Sequence, residues 1–176
     1  MLYKLISKLL DYPDAVLLDA LPELADHLAH AHGLALADRQ VLAGLLEYLA
    51  DTDRTELQAA YVQTFDLTPE HALYLTHHLF GDDKNRGPAL IDLTEFYKEF
   101  GLELRTGEGI SNELPDYLPL ILEFAAELGP DEAHMFLSQW TKVIKQLADN
   151  LAKAGSPYAP VVRLIEQHSQ LVKAAA

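Results

Sequence analysis

The chain's 176 residues, 49% hydrophobic and 23% charged, suffice for one domain with a buried core and lie outside the composition of disordered chains. Cysteine is absent, which excludes disulfides, thiolate catalysis and Cys-ligated metal and suits a reducing, cytoplasmic compartment. The net charge of −14 is uneven: residues 92–132 hold 11 acidic and 2 basic side chains. Such a field repels nucleic acid and anionic membrane and draws basic peptides, unless the carboxylates are no more than solvated helix faces.

Helical periodicity runs through the chain, and no stretch shows a convincing period-two alternation. Met1 to Leu10 reads as a short amphipathic helix; Lys4 and Lys8 break its apolar run and no small-residue cleavage site follows, so no signal peptide is expected. No apolar run approaches the ~18 residues of a membrane span, so no membrane insertion is expected. A second helix spans Asp14 to His32, with Val16, Leu17, Leu21, Leu24 and Leu28 on one stripe and Gly33 as its stop. Pro22 should kink or split it. The third covers Asp38 to Asp51. Asp53-Arg54-Thr55-Glu56 has the form of a capping box and opens a helix through Leu57, Tyr61 and Phe65.

Thr68-Pro69 is a start signal for a helix ending at Phe80-Gly81. A polar loop, 82–87, leads to a helix from Pro88 to Phe100, closed by Gly101. Leu102 to Asn112 is the longest non-periodic stretch. Asp116 is read as the N-cap of a helix to Leu128, with Pro119 in its first turn. Gly129-Pro130 opens one long helix to about Lys153, and Ser156-Pro157 starts the last. The expectation is an all-α, single-domain helical bundle over residues 1–173 with a frayed tail at 174–176.

Catalytic and metal chemistry each lack their residues. No histidine has a glutamate three positions before it, as a di-iron bundle requires, and no His-Glu-x-x-His is present. His27, His30 and His32 have no fourth ligand in view, and the adjacent His77 and His78 point apart on a helix. Gly107-Glu108-Gly109 lacks the third glycine of a dinucleotide loop, and neither a phosphate loop nor a Gly-x-Ser-x-Gly elbow occurs. The chain is therefore not expected to be an enzyme.

Two stretches are too particular for packing alone: Leu73 to Asp82 with Arg86 to Leu93, and Glu113 to Phe124. Tyr61-x-x-x-Phe65-Asp66, the Leu79-Phe80-Gly81-Asp82 turn with Arg86-Gly87 and Leu90, and Tyr97 before Gly101-Leu102 resemble the NarJ family. The best motif is Glu113-Leu114-Pro115-Asp116-x-Leu118-Pro119 with Glu123, and Ser7 to Asp14 also suits the family. These are the molybdenum-cofactor assembly chaperones of respiratory nitrate reductase, within the redox-enzyme maturation chaperones. The resemblance covers roughly residues 5–128. Tyr117 stands where members often have histidine, and the chain ends earlier than many of them.

The resemblance implies an all-α fold and a cytoplasmic chaperone that binds the N-terminal leader peptide of the apo catalytic subunit and assists molybdenum cofactor insertion. It implies no stably bound cofactor; the molybdopterin group would be handled through the client at most. Helix-in-groove recognition would then need an apolar base and an acidic rim. Tyr74, His78, Leu79 and Phe80 are the expected residues of one wall, Tyr117, Leu120 and Phe124 of the other, and Tyr61 and Phe65 of the floor. Asp116, Glu123 and Asp82 are expected to pair with client Lys or Arg, and Arg86 to tie the loop to a carboxylate beside them. Phe65, Leu120 and Phe124 equally fit ordinary core. Other readings are a chaperone for a dimethyl sulfoxide or trimethylamine N-oxide reductase, or a general helical adaptor. An exposed groove also leaves room for a homodimer.

Overall fold

The computed structural model describes residues 1–104 and 113–170. Of the non-periodic stretch expected at 102–112, residues 105–112 lie outside the described residues, as does the tail at 174–176. The described chain is all-α: α1 (Leu2–Leu10), α2 (Ala15–Ala29), α3 (Leu36–Asp51), α4 (Arg54–Tyr61), α5 (Leu75–Phe80), α6 (Arg86–Glu99), α7 (Leu118–Glu127), α8 (Pro130–Ser138), α9 (Thr141–Lys153) and α10 (Ala159–Gln170). Local chemistry accounts for many of the ends. Asp14 accepts from the Leu17 amide at the start of α2, and Asp53 accepts from Thr55 and Glu56 at the start of α4, each satisfying amides that a helix leaves unpaired. Gly33 and Gly101 take positive φ, 91° and 72°, where the chain turns after α2 and α6.

One continuous apolar cluster joins these helices. α10 packs along α9, and α1 lies along α7. Fully buried Ile6, Leu9 and Leu10 of α1 belong to the same cluster as Leu118, Ile121 and Leu122 of α7. Tyr61 and Phe65 pack against Tyr158, with ring centroids 6.0 and 5.0 Å away, so α4 is sewn to the chain just before α10.

The structure departs from the sequence expectations in five places. Pro22 neither splits nor ends α2. On that helix the buried stripe is Leu17, Leu18, Leu21 and Leu28, while Val16 is exposed. The helix through Phe65 changes from α to a π-helical turn at Val62–Asp66. The single helix expected from Thr68 to Phe80 is a 3-10 turn (Pro69–His71), an extended link and then α5. The long helix expected after Pro130 breaks into α8 and α9. Gln139 and Trp140 donate to the carbonyls three residues back, Phe136 and Leu137, tightening the turn before α9 begins.

Candidate functional site

Between α5 and α7 the backbone runs as two short extended segments. Tyr74 and Tyr117 form an isolated antiparallel bridge, the Leu75 amide donates to the Asp116 carbonyl (3.0 Å), and the Leu118 amide donates to the Leu73 carbonyl (2.8 Å). This pairing explains why no helix forms across 72–74. It also carries Asp116 inward rather than to the start of α7, whose N-cap is Tyr117.

Asp116 is completely buried. Its Oδ2 accepts from the Thr76 amide (2.9 Å) and the Thr76 hydroxyl (2.5 Å), so it caps α5 from forty residues away. Thr76 in turn accepts from Arg86 Nε (3.1 Å), and Arg86 Nη2 stands 3.7 Å from Asp116 Oδ2. Asp116, expected to meet a client cation, is therefore spent inside the fold, where with Thr76 and Arg86 it joins the starts of α5, α6 and α7. Arg86 does tie its loop to a carboxylate, and that carboxylate is Asp116. Pro115 is also buried, and its carbonyl accepts from Tyr97 Oη (2.7 Å).

A cavity of about 590 Å³ opens between α1, α7 and the chain flanking 105–112. Tyr117, Leu120, Phe124, Tyr97, Leu102 and Leu104 supply its apolar lining. Around them stand the carboxylates of Asp11, Glu103, Glu113, Glu123 and Glu127 and the ammonium groups of Lys4 and Lys8. Lys8 Nζ lies 2.8 Å from Glu123 Oε1, and Lys4 Nζ lies 3.6 Å from Glu127 Oε1. Hence Glu123, read from sequence as free to meet a client cation, already holds a lysine of its own chain.

A hydroxyl network borders the cavity. Tyr117 Oη lies 3.2 Å from Tyr61 Oη and donates to Asp11 Oδ1 (3.2 Å), while Tyr61 Oη donates to the Leu10 carbonyl (2.8 Å). Tyr74 Oη donates to Glu113 Oε2. Burial holds the phenols of Tyr61 and Tyr117 far above their ordinary range, so they remain hydrogen-bond donors at any physiological pH. Partial desolvation also raises the Asp11 carboxyl, opposed by the Tyr12 amide and the Tyr117 hydroxyl.

Of the expected site residues, the structure brings Tyr117, Leu120, Glu123 and Phe124 into the cavity lining, with the Tyr74 ring tilted against Tyr117 at 5.3 Å. The others go elsewhere. Tyr61 and Phe65 are core, 3% and 4% exposed; they stand behind the cavity lining rather than forming its floor. The His78 ring bonds the Ala72 carbonyl through Nε2 (2.7 Å), and burial lowers its pKa. Leu79 and Asp82 are exposed and Phe80 is half-buried, and none of the three lines this cavity. Sequence reasoning missed Lys4, Lys8, Asp11, Glu113 and Glu127 as lining residues. A signal for three of them was present: Lys4 and Lys8, and Glu127 with the expected Glu123, are spaced i, i+4, on one face of their helices.

The described residues form a helical scaffold with an apolar cleft between α1 and α7 whose border is mostly acidic. The sequence model of the nitrate reductase delta subunit family matches residues 31–163, and the chain belongs to that family. It is 34% identical over 161 residues to the nitrate reductase molybdenum cofactor assembly chaperone NarJ of Escherichia coli K12, covering 92% of this chain and 66% of that protein. It is 30% identical to the probable chaperone of the same name from Bacillus subtilis 168, over 93% of this chain and 85% of the relative. It is also 35% identical, over 90% of its length, to 23% of the nitrate reductase-like protein NarX of Mycobacterium tuberculosis H37Rv. The chain thus spans just under two thirds of the Escherichia coli relative. No described helix is long and apolar enough to cross a membrane.

Proposed function

We propose that this chain is a cytoplasmic, system-specific chaperone that binds the N-terminal leader peptide of the apo catalytic subunit of respiratory nitrate reductase while the molybdenum cofactor is inserted. The observation that carries this reading is the cleft itself: Tyr117, Leu120 and Phe124 at its base, with five carboxylates facing two lysines around it. An amphipathic helix with basic residues beside its apolar face matches such a cleft in shape and charge. The names of the relatives support nitrate reductase as the client. The cofactor is handled through that client, since a phosphate-bearing pterin would meet an excess of carboxylates in the cleft and is not drawn there.

The test is isothermal titration of the purified protein with a synthetic peptide of the catalytic subunit's first ~15 residues, long enough for a short amphipathic helix. A scrambled peptide of equal charge and the Leu120→Asp variant serve as controls, with circular dichroism to show that the variant folds. Saturable binding of the native order alone, lost in Leu120→Asp, is the expected result. Equal binding of native and scrambled peptides would leave a general helical adaptor. Tighter binding of a dimethyl sulfoxide or trimethylamine N-oxide reductase leader would reassign the client.

A further inference from the structure

The charges lining the cleft are ordered along its length. α1 and α7 run antiparallel in a register that sets Lys4 against Glu127, Lys8 against Glu123, and Asp11 against Tyr117. Glu123 and Glu127 follow Tyr117 by about 9 and 15 Å along the axis of α7, at ~1.5 Å per residue. One end of the cleft therefore holds two neutralised carboxylates. The other holds Asp11 and Glu113, whose hydrogen-bond partners among the described residues are uncharged donors: the Tyr117 hydroxyl and Tyr12 amide for Asp11, and the Tyr74 hydroxyl for Glu113.

We infer that Lys4 and Lys8 give the cleft its polarity: they occupy the acidic positions at one end and leave Asp11 and Glu113 as the seat for a basic side chain of the bound helix. The inference rests on the peptide-binding reading above and specifies the direction of entry. Both ion pairs are at the surface, with side chains 67% and 55% exposed for Lys4–Glu127 and 51% and 40% exposed for Lys8–Glu123. Such pairs are weakly held and exchange readily, so the lysines act as a bias rather than a barrier. Lys8 also lowers the Asp11 carboxyl through its field, and Glu113 raises it. The hydrogen bond of Lys8 goes to Glu123. A peptide entering in reverse would set its cation against Lys4 and Lys8, a like-charge contact that selects against that orientation.

The experiment uses the full chain and the ~15-residue leader peptide, fluorescently labelled for anisotropy and, separately, carrying a nitroxide at its basic end. Lys4→Met with Lys8→Met should tighten binding about fivefold, because two carboxylates are released. Asp11→Asn with Glu113→Gln should weaken it about tenfold. Adding Glu123→Gln and Glu127→Gln to the lysine double variant should restore the original affinity. The nitroxide should broaden amide signals around Asp11 and Tyr117 in the unaltered chain, and around both ends once the lysines are gone. Unchanged affinity and unchanged broadening in the lysine double variant would overturn the inference while leaving the cleft as the peptide site. Failure of the unaltered chain to distinguish native from scrambled peptide would instead remove the reading beneath it.

Discussion

A carboxylate with no solvent access keeps its place only if donors and a countercharge replace its water; Thr76 gives Asp116 two donors and Arg86, 3.7 Å away, the countercharge. Removing it strands the second amide of α5 and leaves Arg86 without its countercharge. Asp116→Ala should therefore lower the unfolding free energy by about 3 kcal/mol. Asp116→Asn, which keeps an acceptor for the Thr76 amide, should lose about half of that; urea titration followed by circular dichroism would separate the two. An alanine variant as stable as the parent would mean that α5 does not need its distant cap. This residue also marks the limit of what sequence could give for the site. Glu113 to Pro119 is legible as the most distinctive motif, but an aspartate two positions before a helix looks like that helix's own cap. Its actual partner, forty residues earlier, is set by the pairing of two extended segments that carry no strand pattern. Leu120 and Phe124 were legible as apolar positions on the α7 face, whereas Lys4 and Lys8 were read only as breaks in the apolar run of the first helix.

Several helix starts were legible in local chemistry, although Thr68-Pro69 opens only a 3-10 turn. Asp14, Asp53 and Gly129-Pro130 mark true starts, because a side-chain acceptor or a proline acts on its own neighbours. Boundaries imposed by packing were not legible: the turn at Gln139-Trp140 contains neither glycine nor proline, and it re-aims the chain so that α9 lies along α10. Pro22 errs in the opposite direction. Eight residues into α2, it lacks the amide that would reach the Leu18 carbonyl, yet buried Leu17, Leu18 and Leu21 before it and Leu28 after it hold the helix together. Pro22 itself is exposed. Pro22→Ala should restore that hydrogen bond and raise stability by about 1–3 kcal/mol, with a melting temperature several degrees higher at the ~2–4 °C per kcal/mol expected for this size. No gain on thermal unfolding would show that contacts of the ring in the shallow cleft between α2 and α3, which it lines, compensate the missing bond.

At the scale of the whole chain, the net charge of −14 acts before any contact is made. The densest acidic stretch, 92–132, contains α7 and part of the cleft lining, while residues 133–176 carry 5 basic and 2 acidic side chains. A basic peptide is therefore drawn toward the α1–α7 side, and a polyanion is turned away from it. This long-range field weakens as the Debye length falls from about 14 Å at 0.05 M salt to about 4 Å at 0.5 M. The apolar contacts of Tyr117, Leu120 and Phe124 are not screened in this way. Raising sodium chloride across that range should thus slow association of the leader peptide about tenfold and leave its dissociation rate within about twofold. Stopped-flow fluorescence with a labelled peptide reads both rates directly. If dissociation accelerates as much as association slows, ion pairs rather than the apolar base hold the bound peptide, and Leu120 and Phe124 would contribute little to residence. If neither rate responds, the acidic segment serves only to solvate its helices, and selection of a basic client would have to come from contacts alone.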